Sequence, residues 1–434
     1  MKTLKKVVLL AGLGALGFGV FGLSSVFKPP SPEIIGSAES PRSGKTDQRI
    51  ILAQQAIEKK PDESDGYNQL AAAYMQKARE TDNFAFNSNA ETAIAKSLEV
   101  DKDNYDALKL NAKLQLTYHR FAEALETAKQ AQKVRADDHD VWGQITDALV
   151  ELGDYPAAVK SAQTMVNLRP DSSSYARVSY LRSLHGDIEG AIQAMVAAVK
   201  AANPNDRESI AWCRVQLGNE LMNAGKLNEA EHQYDEALRT FAAHPLAQEG
   251  KARTRIAAGD LQGAFEIYQR EQSKSASADV AQSLGDLYTR LGQGDAARKQ
   301  YEMFEILERE NAALEKSWRH MVNYWLDHDK HLEEALVLAS REYEGRKDIF
   351  TCDSLAWAFF KNGRLEEAKK FINEALRTGS KDARINYHAG MIYKSLNIPD
   401  QAAKYLRLGA VINSSFDPAQ AQAAQKMLAD LNLN

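Results

Sequence analysis

Ten alanines, Ala90, Ala124, Ala158, Ala191, Ala230, Ala264, Ala297, Ala335, Ala368 and Ala402, each open an amphipathic stretch of this chain. The intervals between them are 34, 34, 33, 39, 34, 33, 38, 33 and 34 residues. A period held for more than 300 residues excludes one globular core and points to stacked units, none of which can bury its apolar face alone. One unit, His139 to Ser172, shows the pattern. Trp142, Ile145, Thr146 and Leu149 share one helical face. A turn follows at Gly153-Asp154-Tyr155, with Pro156 suited to a first helical position, and Ala158, Ala162 and Met165 form the face of a second helix before Pro170 ends it. Leu217, Gly218, Leu221, Gly225, Ala230, Tyr234 and Ala237 repeat the pattern, as do Leu284, Gly285, Tyr288, Gly292, Ala297 and Tyr301. Small residues at these positions let paired helices approach closely.

The spacing of Trp142, Leu149, Gly153, Ala158, Ala162 and Pro170 resembles the tetratricopeptide repeat (TPR) family. That resemblance implies an all-α solenoid, a right-handed superhelix of about ten helix-turn-helix repeats over residues 64–416. A partial repeat at 47–61 precedes them and a capping helix at 418–431 follows. The first unit carries an insertion, Met75 to Asn89, readable as a longer helix pair or as a projecting loop bearing Phe84 and Phe86. The second half, with Asp353-Ser354-Leu355-Ala356-Trp357-Ala358 and Tyr387-His388-Ala389-Gly390-Met391-Ile392, also resembles a subset of bacterial TPR proteins, which implies a bacterial source and no particular activity.

The N-terminus follows a different rule. Lys2, Lys5 and Lys6 precede Val7 to Phe27, 21 residues without a charge. As a helix that stretch extends about 31 Å, enough to cross a bilayer's hydrocarbon core. Residues 1–27 are expected to be an uncleaved signal anchor with the remainder extracytoplasmic, in a bacterial periplasm or on the outer surface. The alternative is a cleaved signal ending near Gly22-Leu23-Ser24, which leaves a secreted protein. Ala11, Ala15 and Gly19 form a small-residue stripe on which two anchors can dimerise. Pro29, Pro30, Pro32 and Pro41 mark residues 28–46 as a flexible tether, and the solenoid is expected over 47–434.

Composition narrows the chemistry. With 54 basic and 59 acidic residues the net charge is −5, so there is no basic field of the kind nucleic acid requires, and no nucleic-acid partner is expected. Cys213 and Cys352 are far apart and lack a CxxC partner. Gly44-Lys45-Thr46 is not a phosphate loop, because Glu39 stands where the motif needs glycine. Glu333-Glu334 and Glu366-Glu367 fall in the first turn of second helices, where the helix dipole favours them.

Trp325-Leu326-Asp327-His328-Asp329-Lys330-His331 is the most site-like segment. Counted back from Ala335, its residues 327–331 occupy the link between two helices, where other units carry a glycine turn. His328 and His331 lack a convergent third ligand, His320 being about two helical turns away. No catalytic set, cofactor or metal site is assigned, and a metal-dependent enzyme is the least favoured class. The resemblance instead implies that first helices line a concave groove. The inward side chains are expected to be Gln144, Asp147, Arg177, Tyr180, Trp212, Gln216, Asn219, Asp286, His320, Tyr324, His328, Asp353, Trp357 and His388. This polar face with interspersed aromatics suits a protein or peptide ligand. The reading is a non-enzymatic binding adaptor held at a membrane, or alternatively a structural scaffold or assembly factor of an envelope complex.

Overall fold

The computed structural model describes residues 41–430 apart from 82, 243, 275, 316 and 413–417. The expected anchor (1–27) and the start of the expected tether (28–40) lie outside the described residues. Among the described residues there are 22 α-helices and no strands. A single helix, α1 (Pro41–Lys59), comes first. The first pairs are α2 (Ser64–Thr81) and α3 (Ala85–Val100), α4 (Tyr105–Thr117) and α5 (Phe121–Val134), and α6 (His139–Glu151) and α7 (Tyr155–Leu168). Then come α8 (Ser172–Leu184) and α9 (Ile188–Ala201), α10 (Arg207–Asn223) and α11 (Leu227–Thr240), and α12 (Pro245–Ala257) and α13 (Leu261–Lys274). The last pairs are α14 (Ala278–Arg290) and α15 (Gly294–Glu315), α16 (Arg319–Asp327) and α17 (Leu332–Gly345), α18 (Ile349–Lys361) and α19 (Leu365–Ala375), and α20 (Ala383–Ser395) and α21 (Pro399–Ile412). A lone α22 (Pro418–Asp430) ends the series.

Two details differ from the sequence expectation. α1 starts at Pro41, so residues 41–46 are helical rather than tether; proline at a first helical position gives up no hydrogen bond. The insertion at 75–89 is not a projecting loop. It lengthens α2 to 18 residues, against 13 in α4. Phe86 turns back to stack on Tyr74, with ring centroids 6.2 Å apart.

The same local devices repeat along the chain. Asn104, Asp138, Asp171, Asp206, Asp348 and Asp382 cap the first helices of their units by accepting backbone N–H bonds, each worth about 1 kcal/mol. From the α4–α5 pair onward, the turn inside each pair carries a left-handed residue: His119, Gly153, Gly186, Gly225, Gly259, Gly292, Asp329, Gly363 or Asn397. Asp329, with φ 53°, therefore does within the Trp325–His331 segment what glycine does elsewhere. His331, expected to match Leu227 and Leu261, instead caps α17 with φ 45°; Leu332 is the first residue of α17, as Leu227 is of α11.

Successive even-numbered helices pack on one another along most of the chain, whereas successive odd-numbered ones are held apart. The crowded even series is the inside of the curve. Its contacts thin out between α12, α14 and α16, and the α15–α16 contact is also slight. The apolar core divides close by, within α14, where Ala278 and Ala281 belong to the large cluster and Leu284 and Leu287 do not. One continuous cluster joins residues from Tyr105–Leu184 with residues from Ala278–Ala424. Ala252, Ala264, Ile267, Tyr268, Leu284 and Leu287 form a small core of their own.

That large cluster is continuous because the curve meets itself. The link between α17 and α18 lies against the turn between α6 and α7, almost 200 residues earlier. The Lys347 amide donates to the Glu151 carbonyl at 2.8 Å, and the Ile349 amide to the Tyr155 hydroxyl at 2.9 Å. The approach is close enough that a Cβ on Gly153 (φ 76°) would lie 2.5 Å from the Lys347 carbonyl oxygen. One on Gly186 would lie 2.5 Å from the Gly379 carbonyl oxygen.

Candidate functional site

The inner face is organised by the repeat. Arg79, Lys113, Asp147, Tyr180, Asn219, Arg253, Asp286, Tyr324 and Trp357 follow one another at intervals of 34, 34, 33, 39, 34, 33, 38 and 33 residues. They occupy one register position on successive even-numbered helices. Charge dominates the first two rungs and aromatic rings the last two.

Of the 14 expected groove residues, ten are buried: Gln144, Asp147, Arg177, Tyr180, Trp212, Gln216, Tyr324, Asp353, Trp357 and His388. Most are tied to a neighbouring unit. Arg177 grips Asp147 with two bonds of 2.8 and 2.7 Å. Burial pushes the Asp147 carboxyl up to about 6 against the pull of that guanidinium. Gln144 donates to the Lys109 carbonyl at 3.1 Å. His388 Nδ1 lies 3.0 Å from both Asp353 oxygens, and its ring stacks on Trp357 with centroids 4.0 Å apart. Trp357 donates to Asp327 at 3.2 Å. Trp212 belongs to the core of α8–α12, and Gln216 accepts from Asn219 at 3.5 Å. Tyr180 lies beside the charged groups where the chain meets itself, and burial raises its hydroxyl well above its ordinary value.

Asn219, Asp286, His320 and His328 are partly exposed. Asn219 and Asp286 each accept a 2.8 Å bond from a tyrosine of the paired helix, Tyr234 and Tyr301 respectively. His320 stands 3.7 Å from Asp279 and 3.8 Å from Glu308. Burial alone would lower its pKa; the two carboxylates outweigh it and raise the imidazole to about 9. His328 donates from Nδ1 to the Tyr324 carbonyl at 2.9 Å, when that nitrogen carries the proton, and packs against the Tyr301 and Tyr324 rings. His331 faces Trp325 instead, at 4.8 Å. The two histidines thus serve different aromatic neighbours, and the segment ends α16 at Asp327 and then turns over residues 328–331. Among the described residues, the one group with metal-ligand spacing is Asp138, His139 and Asp140. Its Asp138 is committed to Lys109 and Tyr105.

The partly exposed part of the inner face includes residues that sequence reasoning missed. Arg79, Lys113, Glu249 and Arg253 all retain solvent exposure on inner helices. Burial, followed by the charge of Arg79, brings the Lys113 amine down to about 8. Burial pushes Glu249 up to about 7, opposed by Arg253 and His320. Arg79 and Lys113 stand two periods and one period before Asp147, so the repeat frame already marked their positions.

A second cluster lies where the curve meets itself. Arg346 bonds Glu151 across the contact, and Arg346 Nε also lies 3.0 Å from Asp348. Arg319 Nη1 approaches Asp348 at 3.6 Å, and Glu342 lies 3.8 Å from Arg346. All five side chains are buried or nearly so. Burial would raise Asp348, yet the Arg346 and Arg319 charges hold its carboxyl below the usual range. Arg377 seals the rim, lying 5.0 Å over the Tyr155 ring and donating to the Lys347 carbonyl at 2.6 Å.

Comparison with known proteins agrees with the repeat architecture. The tetratricopeptide repeat family model matches residues 215–280 and 354–418. No curated protein matches the sequence. Among solved structures, a TPR protein from Parabacteroides merdae is 14% identical with a TM-score of 0.42, covering 57% of this chain and 96% of its own. TTC0263 from Thermus thermophilus, also a TPR protein, is 18% identical with a TM-score of 0.40, over 44% of this chain and 99% of its own. The human IFIT1 dimer with m7Gppp-AAAA is 14% identical with a TM-score of 0.49, over 78% of this chain and 77% of its own. Likeness at these scores assigns no ligand here. The ten helix pairs and the 34-residue period lead to one statement: the described chain is an all-helical solenoid, and its stretches 215–280 and 354–418 match tetratricopeptide repeats.

Proposed function

We propose that the solenoid is a non-enzymatic adaptor that binds a protein or peptide segment along its inner face. The observation that carries this reading is the ladder of inner side chains in one register. Its partly exposed cations, Arg79 and Lys113, stand at one end and its aromatic rungs at the other. A segment with acidic residues toward α2 and α4 fits that order, since a carboxylate beside Lys113 favours its charged form against the burial and the Arg79 charge that lower its pKa. Arg177 and Trp357 hold neighbouring units together and are poor probes of binding. The bacterial, membrane-held setting is part of the proposal. Residues 1–27 anchor the chain, Ala11, Ala15 and Gly19 supply a pairing stripe, and the repeats face the extracytoplasmic side. The 21-residue uncharged run supports this; among the described residues no helix is long and apolar enough to cross a membrane.

The test is crosslinking from native membranes followed by mass spectrometry of what is recovered. A small set of proteins recovered with the wild type and lost with Lys113→Glu or Arg79→Glu supports the reading. Recovery of RNA in place of protein contradicts it, and with it the expectation of no nucleic-acid partner. For topology, a reporter fused after Asn434 that is active only in the cytoplasm overturns the placement. One observation favours the scaffold alternative. Ile306 on α15 and Val337 on α17 are 61% and 66% exposed on outer helices, where a fixed neighbour could cover them. If crosslinks concentrate there and persist in Lys113→Glu, the scaffold reading replaces the adaptor.

A further inference from the structure

The meeting of the first and second turns is a contact that the repeat does not require. A solenoid unit needs only its chain neighbours to bury its faces. Here the turn between α6 and α7 also touches the α17–α18 link, and Gly186 approaches Gly379. The character of the contact differs from that of the packing between neighbouring units. Neighbours meet mainly through alanines, leucines and tyrosine rings, with separate polar ties such as Arg177–Asp147 and His388–Asp353. The two turns meet through Glu151, Arg346, Asp348, the Lys347 backbone and Arg377, around a small apolar patch of Phe121, Tyr155 and Ile349.

We propose that this seam is a latch: the two turns part along it while each stays folded, bending where α12, α14 and α16 barely touch. Three observations support the opening. The seam's charged groups recover hydration when it parts, which offsets much of the cost of losing their pairing; an apolar interface between neighbouring units has no such compensation. The thin stretch supplies a hinge, because its core is small and its inner helices lack the mutual contacts found elsewhere. The closed form also buries inner residues near the seam, including Tyr180, so opening widens access to the inner face. The latch does not depend on what that face binds.

The chain carries its own reporter. Cys352 is fully buried beneath the seam, with its sulfur 3.6 Å from the Lys347 carbonyl oxygen and 3.5 Å from Arg377 Nη1. Cys213 is fully buried in the α8–α12 core, away from the seam. Burial pushes both thiols up to about 12, so a difference in their modification rates reads opening rather than intrinsic reactivity. The experiment treats the purified full-length protein with iodoacetamide under native conditions and follows both cysteines by peptide mass spectrometry. Cys352 is expected to react about tenfold or more faster than Cys213. Glu151→Lys and the gentler rim variant Arg377→Ala should accelerate Cys352 further and leave Cys213 unchanged. Equal rates at both cysteines in every variant mean that only global unfolding exposes them, which overturns the latch. A faster Cys352 that neither variant accelerates overturns it too, assigning the exposure to fraying of α18. If Glu151→Lys does not fold, Arg377→Ala decides alone, and Arg298→Ala, in an exposed pair with Asp295, is the control expected to change nothing.

Discussion

The units around α6–α8 and α17–α20 and the units around α12–α14 are written in the same 34-residue pattern, yet they are held differently. The former share one core that crosses the seam, reinforced by the buried charges at Glu151, Arg346 and Asp348. The latter bury six apolar residues in an isolated cluster, with the ion pairs of Arg255 and Lys251 only partly exposed. The repeat therefore determines how one helix pair folds, while stiffness over the whole curve comes from residues outside the repeat pattern. Local closeness is equal in both regions: Gly285 would place a Cβ 2.5 Å from the Tyr301 ring, much as Gly390 on α20 would place one 2.6 Å from the Leu406 side chain.

The strongest way to break this contrast is to remove a guanidinium from each region. Arg177→Ala leaves Asp147 buried without its partner and should cost about 3–5 kcal/mol in urea unfolding. Arg255→Ala, in the thin region with its side chain 42% exposed, should stay within about 1 kcal/mol. Similar costs at the two sites would remove the distinction.

The turn glycines sharpen it next. Gly259 has φ 82° and open space where an alanine methyl would stand, whereas Gly153 has φ 76° and the Lys347 carbonyl in the way. Gly259→Ala should cost about 1–2 kcal/mol from left-handed strain alone. Gly153→Ala should add about 1–3 kcal/mol of overpacking and should raise the radius of gyration in small-angle scattering. Equal losses, with no change in scattering, would place no second turn over Gly153.

His320 ties α16 to Asp279 on α14 and Glu308 on α15, across the thin stretch. Its pKa is raised to about 9, so its protonated form favours the fold. That contribution is complete below about 6.5, the unfolded value, and is lost as pH rises through about 9. Wild-type stability should fall relative to His320→Gln over that window, and a pH-independent difference would show that the histidine is uncoupled from its carboxylates. The smallest effect is expected at Asn397, left-handed at φ 55°. Asn397→Gly should shift stability by at most about 0.5 kcal/mol, as asparagine tolerates this conformation.

Much of this fold was legible because it repeats. The alanine period placed the helix pairs, and it placed residues 327–331 in the link after α16, a link that begins one residue later, at His328. The ladder was legible in part: Asp147, Tyr180, Asn219 and Trp357 were read as inward, while Arg79, Lys113 and Arg253, in the same register, were missed. What the period could not supply was exposure. Facing inward in so tight a curve buries most side chains, so Arg177 and His388 became ties between units instead of open groove lining. The seam was not legible. Arg135, Arg169 and Arg346 each stand 11 residues after a repeating alanine, but Arg135 stacks on Tyr105, Arg169 is 65% exposed, and only Arg346 reaches Glu151. A contact 195 residues apart in sequence leaves no mark in a 34-residue pattern.

The central claim, that the solenoid closes on itself, is tested most directly by a double-mutant cycle on Glu151→Ala and Arg346→Ala, read as unfolding free energies in urea. A closed curve predicts a coupling of about 1–3 kcal/mol between these distant positions. Additivity within about 0.5 kcal/mol would mean that the two residues never meet and that the solenoid is open.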